Sequence, residues 1–192
     1  MTDVLESPPA TDSPTSSPQE RAEAWLGAFE DALTAGEVDS AAAMFARESF
    51  WRDLVAFTWN LTTVENPDGV RDLLTATLDT TRPSAFATTE PATEDGGVVT
   101  AWIAFETATG RGTGLLRLTD EDGTDKAWTL LTALQELKGH EEPRGSRRPK
   151  GAEHGIDKAR QTWKERREAE AESLGVSTQP YVLVVGGGQG GI

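Results

Sequence analysis

The chain has 192 residues, with 32 Asp and Glu against 18 Lys and Arg, a formal net charge of −14, and no cysteine. One domain with extensions suits that length. Without cysteine there are no disulfides and no thiolate metal sites, and no apolar run reaches the ~18 residues that a membrane-spanning helix needs.

The charge is uneven. Residues 1–138 hold 24 acidic and 9 basic side chains, whereas residues 139–192 hold 8 and 9. The first part therefore repels nucleic acid and anionic membrane, and neither is an expected partner. The same acidity also serves solubility alone.

Residues 1–17 open the acidic, Pro/Ser/Thr-rich run "MTDVLESPPATDSPTSSPQE". Such a segment buries too little apolar surface to offset ordering and reads as a disordered tail. It has no basic n-region or apolar h-region of a signal peptide, so a cytoplasmic protein is expected.

A first helix follows. Ser17 as N-cap, Pro18 at the first position and Glu20 three on from the cap form a capping box. Ala22, Trp25, Leu26, Phe29, Ala32 and Leu33 recur at helical spacing, and Gly36 is the expected stop. A short second helix is expected from about Asp39, carrying Met44 and Phe45. "VAFTWNLT" (55–62) alternates Val55, Phe57, Trp59 and Leu61 with polar or small residues, which predicts a strand with one buried face. A third helix is expected from Asn66-Pro67, burying Val70, Leu73, Leu74 and Leu78.

Four further strands are expected in "SAFATTE", "GVVTAWIAFETA", "GTGLLRLTD" and "KAWTLLTALQELK". The glycine-rich separators "EDGG", "TGRG" and "DEDGTD" are hairpin chemistry. Helices first and an antiparallel meander last predict an α+β fold, with three helices on one face of a curved sheet.

That order and those aromatic-rich strands resemble the NTF2-like superfamily, in its SnoaL-like branch, over residues 18–138. The resemblance implies a cone with a pocket between sheet and helices, and no function by itself. Enzymes of this kind use pocket carboxylates tuned by apolar walls. Asp53 is the first candidate base and Glu106 the second. The competing reading is a structural Arg52–Asp53 arrangement at a strand entrance. Trp51, Trp59, Trp102 and Trp128 are pocket candidates beside Arg52 and Asp53, or else core.

Residues 139–156 read as a linker. His140 and His154, with Glu141, Glu142 and Glu153 beside them, have no regular metal-ligand spacing, and no metal site is expected. Residues 157–175 read as a linker helix from Asp157 to Gly175. Its charges are mixed, with an apolar edge of Ala159, Trp163 and Leu174.

The chain closes on "YVLVVGGGQGGI" within residues 180–192. Five apolar residues suit a central parallel strand. Gly186, Gly188 and Gly191 then give the G-x-G-x-x-G spacing that lets a backbone approach a pyrophosphate. The competing reading is a glycine-rich tail. With "LKGHEEPRG" and "TWKERREAEAESLG" before it, the segment resembles the start of the FAD-binding Rossmann domain of flavin-containing monooxygenases with an NTF2-like extension. On that resemblance Gly186, Gly187, Gly188, Gln189, Gly190 and Gly191 would form the FAD-pyrophosphate turn. NADPH would reduce the flavin of the parent enzyme, which would oxygenate a small-molecule substrate. The glycine motif for NADPH has no counterpart, so this stretch of chain is expected to be inactive alone and to retain neither cofactor.

Three functions follow as expectations. The first is a portion of an FAD- and NADPH-dependent monooxygenase. The second is an accessory module without chemistry that pairs subunits or covers the flavin domain, compatible with the first. The third is a stand-alone NTF2-like small-molecule-binding protein, isomerase or hydrolase with Asp53 as base.

Overall fold

The computed structural model describes residues 16–148 and 161–179. The expected tail over 1–15, the linker stretch 149–160 with His154 and Asp157, and the closing strand with Gly186 to Gly191 lie outside the described residues. The chain divides into two compact units between Glu142 and Pro143.

In the first unit, α1 (Pro18–Ala35) starts on the expected capping box. Glu20 N–H donates to Ser17 Oγ at 3.3 Å, and Ser17 N–H donates to Glu20 Oε2 at 2.8 Å. Gly36 ends the helix at φ 73°, a left-handed conformation that costs glycine little. A short α2 (Val38–Ala42) follows, and then β1 (Phe45–Leu54). β2 is Leu61–Glu65, α3 is Asn66–Thr81, and β3 to β7 are Ser84–Thr88, Thr93–Asp95, Val98–Glu106, Gly110–Glu121 and Thr124–Leu137. One sheet has the order β2-β1-β7-β6-β5-β3, with β4 paired to β5. Every pairing is antiparallel except β1 with β7.

The helices cover one face of this sheet. Trp25 and Phe29 of α1 and Val70, Leu73 and Leu74 of α3 join inward-facing Trp51, Val99, Ile103, Phe105, Leu116, Leu118 and Leu130 in one core. Two inward positions on β6 are glycine for a steric reason. A Cβ on Gly112 would run into the Phe105 ring, and one on Gly114 would meet the Leu131 carbonyl.

Two expected elements are corrected. Phe45 belongs to β1 and not to the second helix, whose five residues end at Ala42. The expected strand 55–62 is a loop as far as Asn60, and its first partner strand is the preceding "FARESFWRDL". Val55 and Trp59 sit at φ 70° and 56°, outside strand geometry. In the stretch 55–62 Ala56 and Phe57 are buried while Trp59, in the loop, and Leu61, at the start of β2, are exposed, so the two-residue alternation there has no structural counterpart.

In the second unit a single 3-10 turn spans Gly145–Arg147, and α4 runs from Trp163 to Ser173. Its N-cap is Thr162, in a capping box with Glu165, so the helix begins later than the expected Asp157. The Arg167 guanidinium stacks over the Trp163 ring at 5.1 Å.

Candidate functional site

The space between helices and sheet is occupied by aromatic rings. Trp25 stacks on Phe29 at 4.8 Å, Phe45 on Trp51 at 5.8 Å and Phe86 on Phe105 at 5.5 Å. Edge contacts of Phe57 with Trp51 at 4.9 Å and of Phe29 with Phe86 at 5.7 Å join these pairs. Such ring contacts add to the area each ring buries.

Asp53 lies at the edge of this aromatic cluster with 0 % of its surface exposed. Its carboxylate accepts from five groups. Oδ1 takes the N–H of Ala56 at 3.2 Å and of Phe57 at 3.1 Å, and the Thr132 hydroxyl at 2.8 Å. Oδ2 takes the N–H of Phe57 at 3.0 Å and of Thr58 at 2.8 Å, and the Thr58 hydroxyl at 2.8 Å. A carboxylate offers about four lone-pair sites, so these donors use what a substrate proton would need. Asp53 shapes the 55–60 loop, and its geometry is that of a turn-holding residue rather than a base. Trp51 is buried beside it and donates from Nε1 to Thr132 Oγ1 at 3.0 Å.

The other pocket candidates do not join Asp53. Arg52 is adjacent on the strand, faces the opposite side of the sheet and donates to Thr63 Oγ1 at 3.2 Å. Trp59, Trp102 and Trp128 are 59 %, 51 % and 38 % exposed, none of them in the aromatic interior. Glu106 also faces outward. It pairs with Lys138 at 2.9 Å and Arg111 at 3.6 Å, and the hydrogen bond from Lys138 holds its carboxyl below the usual glutamate range. No cluster of His, Asp and Glu among the described residues is suited to a metal, His140 included.

Two surfaces lie outside the aromatic interior. One is an open cleft of about 730 Å³ between the ends of α1 and α3, with Leu33, Leu78 and Pro83 on its apolar side and Asp79, Arg82 and Ser84 on its polar side. Nothing in the local sequence marks it, because two helix ends distant in the chain create it.

The other is the outer face of the sheet. Register places its side chains in rows across the strands. One row runs Trp102, Leu115, Leu131, Arg52, Thr63, and the next runs Ala104, Thr113, Ala133, Leu54, Leu61. A third runs Thr100, Arg117, Thr129, Phe50, Glu65. Trp128 is the extra residue of a bulge, since Arg117 and Leu118 pair with Thr129 and Ala127. The centre of the face is thus apolar around a single arginine, Arg52. The signal in the sequence was the doublets "LL" of β6 and β7, which place leucine on both faces of a strand.

Three helices against a curved sheet of this strand order decide the fold. The fold is NTF2-like. A ketosteroid isomerase-like protein from Erwinia carotovora atroseptica superposes with a TM-score of 0.52 at 12% identity, covering 64% of this chain and 99% of that one. A domain of unknown function with a cystatin-like fold from Nostoc punctiforme gives 0.52 at 15% identity, covering 64% and 80%. An uncharacterized protein with a cystatin-like fold from Caulobacter vibrioides gives 0.52 at 14% identity, covering 60% and 88%. No protein-family model and no curated protein matches the chain. The similarity therefore concerns the NTF2-like, or cystatin-like, fold alone. No helix among the described residues is long and apolar enough to cross a membrane.

Proposed function

We propose that the NTF2-like domain is a self-association module that pairs two copies of the chain through the outer face of the sheet. The observation that carries this reading is the apolar centre of that face. Leu115 and Leu131 lie side by side on β6 and β7, next to exposed Trp102, and Phe50 and Leu54 flank Arg52 on β1. Phe50, Leu54, Leu115 and Leu131 are half-buried; apolar surface of this kind beside an exposed tryptophan marks association sites, and tryptophan and arginine are common anchors in them. The test is sedimentation velocity of the full chain. Wild type should sediment as a dimer, and Leu131→Glu as a monomer with an unchanged far-ultraviolet spectrum. A monomeric wild type would overturn the reading.

A small-molecule role, the stand-alone alternative, has one specific support, the cleft lined by Leu33, Leu78, Asp79 and Arg82. Clefts of that size and mixed lining hold small ligands. On this reading Asp79 and Arg82 replace Asp53 as the ionisable groups at the ligand. An Arg82→Ala variant that bound a small-molecule library as wild type does would remove its ground.

The assignment to an FAD- and NADPH-dependent monooxygenase is supported by sequence only, through Gly186, Gly188 and Gly191 after an apolar run. Flavin titration of a chain extended past Ile192 tests it, and a failure to bind FAD counts against it. The pairing module and the flavin reading are compatible, since the first concerns residues 16–142 alone.

A further inference from the structure

The geometry points to an isologous pairing in which Arg117 of each chain meets Glu65 of the other. This inference rests on the self-association reading and names the contact that fixes its register. Arg117 and Glu65 are both exposed, and neither has an ion-pair partner among the described residues. They lie on one row of the outer face. Arg117 on β6 pairs with Thr129 on β7, Thr129 with Phe50 on β1, and Phe50 with Glu65 on β2.

Three strand spacings of about 4.8 Å separate the two charges, and the seam between β7 and β1 lies midway. A face-to-face dimer has its two-fold axis in the plane between the sheets. An axis along the strands over that seam exchanges the two positions, so Arg117 stands opposite the partner's Glu65, and Glu65 opposite the partner's Arg117. The same operation sets Leu54 opposite the partner's Ala133, and lays the Arg52 stem over the partner's Leu131. Arg52, hydrogen-bonded to Thr63, is the one charge beside the seam; Phe50, Leu54 and Leu131 surround it, and Arg117 and Glu65 fall toward the rim. A shift of axis by one strand would abolish both ion pairs, so the charges select one register.

A charge-swap series on the full chain tests this, read as the dimer dissociation constant by sedimentation. Arg117→Glu and Glu65→Arg should each weaken the dimer at least about tenfold, because symmetry places two like-charge contacts in every dimer. The double variant should return to within about threefold of wild type. Glu65 caps α3 without a side-chain cap bond, and thermal melting of each variant reads any effect on folding separately. If Leu131→Glu dissociates the dimer while both charge variants leave it intact, or the double variant stays weak, the register is wrong and the pairing face stands. If wild type is monomeric, both fall.

Discussion

Thr132 on β7 donates its hydroxyl to Asp53 on β1 at 2.8 Å, across the one parallel pairing of the sheet. The same hydroxyl accepts from Trp51 Nε1 at 3.0 Å, so one buried threonine joins the aromatic core to the carboxylate that shapes the 55–60 loop.

Asp53→Asn should therefore destabilise the domain by about 3 kcal/mol, since an amide nitrogen would face backbone N–H groups with no acceptor. Urea unfolding measures the loss. A change below about 0.5 kcal/mol would mean that the carboxylate is not the turn-holding group.

Gly112→Val should cost about 3 kcal/mol or abolish soluble expression, because its side chain would occupy the space of the Phe105 ring. Gly97→Ala is a useful contrast. Gly97 has φ 81° and open space around it, so only backbone strain of about 1 kcal/mol is expected. Thermal melts of the two variants should rank accordingly.

Tryptophan emission should respond to concentration. Trp102 is half-exposed on the proposed pairing face, so dilution through the dimer dissociation constant should shift emission to the red and raise quenching by iodide. Trp102→Phe should remove most of that change. Emission that stays constant over a wide dilution range would argue that this face remains in water.

The end of the sheet should loosen in acid. Lys138 holds Glu106, and Glu141's own N–H, then the N–H of Gly139 and Arg111, hold Glu141, each below the usual glutamate range. A carboxylate lowered in the folded state stabilises fully above its unfolded value of about 4.3, and that contribution disappears as pH falls through the lower folded value. Lys138 Nζ also binds the Thr107 carbonyl at 2.6 Å, and Lys138 N–H the Thr109 carbonyl at 2.9 Å. Hydrogen exchange at Lys138 and Gly139, corrected for intrinsic rate, should rise below about pH 4. Glu106→Gln should raise Lys138 exchange above that range toward its acid level and leave it without the Glu106 part of this pH response.

Helix α1 was legible because every signal was local. Its cap, its 3.6-residue apolar spacing and Gly36 lie within twenty consecutive residues. The hairpins β5–β6 and β6–β7 were legible for the same reason, through the glycine chemistry of their turns. "VAFTWNLT" misled because its alternation matches a strand, while five hydrogen-bond donors gathered by Asp53, one of them from Thr132, curl the backbone. β1 was missed because its partner β7 lies about eighty residues on.

By itself the sequence determined the fold class, the helix limits of α1 and the meander, since those follow from periodicity and turn residues close in the chain. Only the tertiary structure decided which tryptophans are core and which are surface. It also decided that Asp53 is engaged by its own loop, and that Arg117 and Glu65 share a row. A side chain's face depends on register and bulges, and register is set by pairing between strands that the sequence keeps apart.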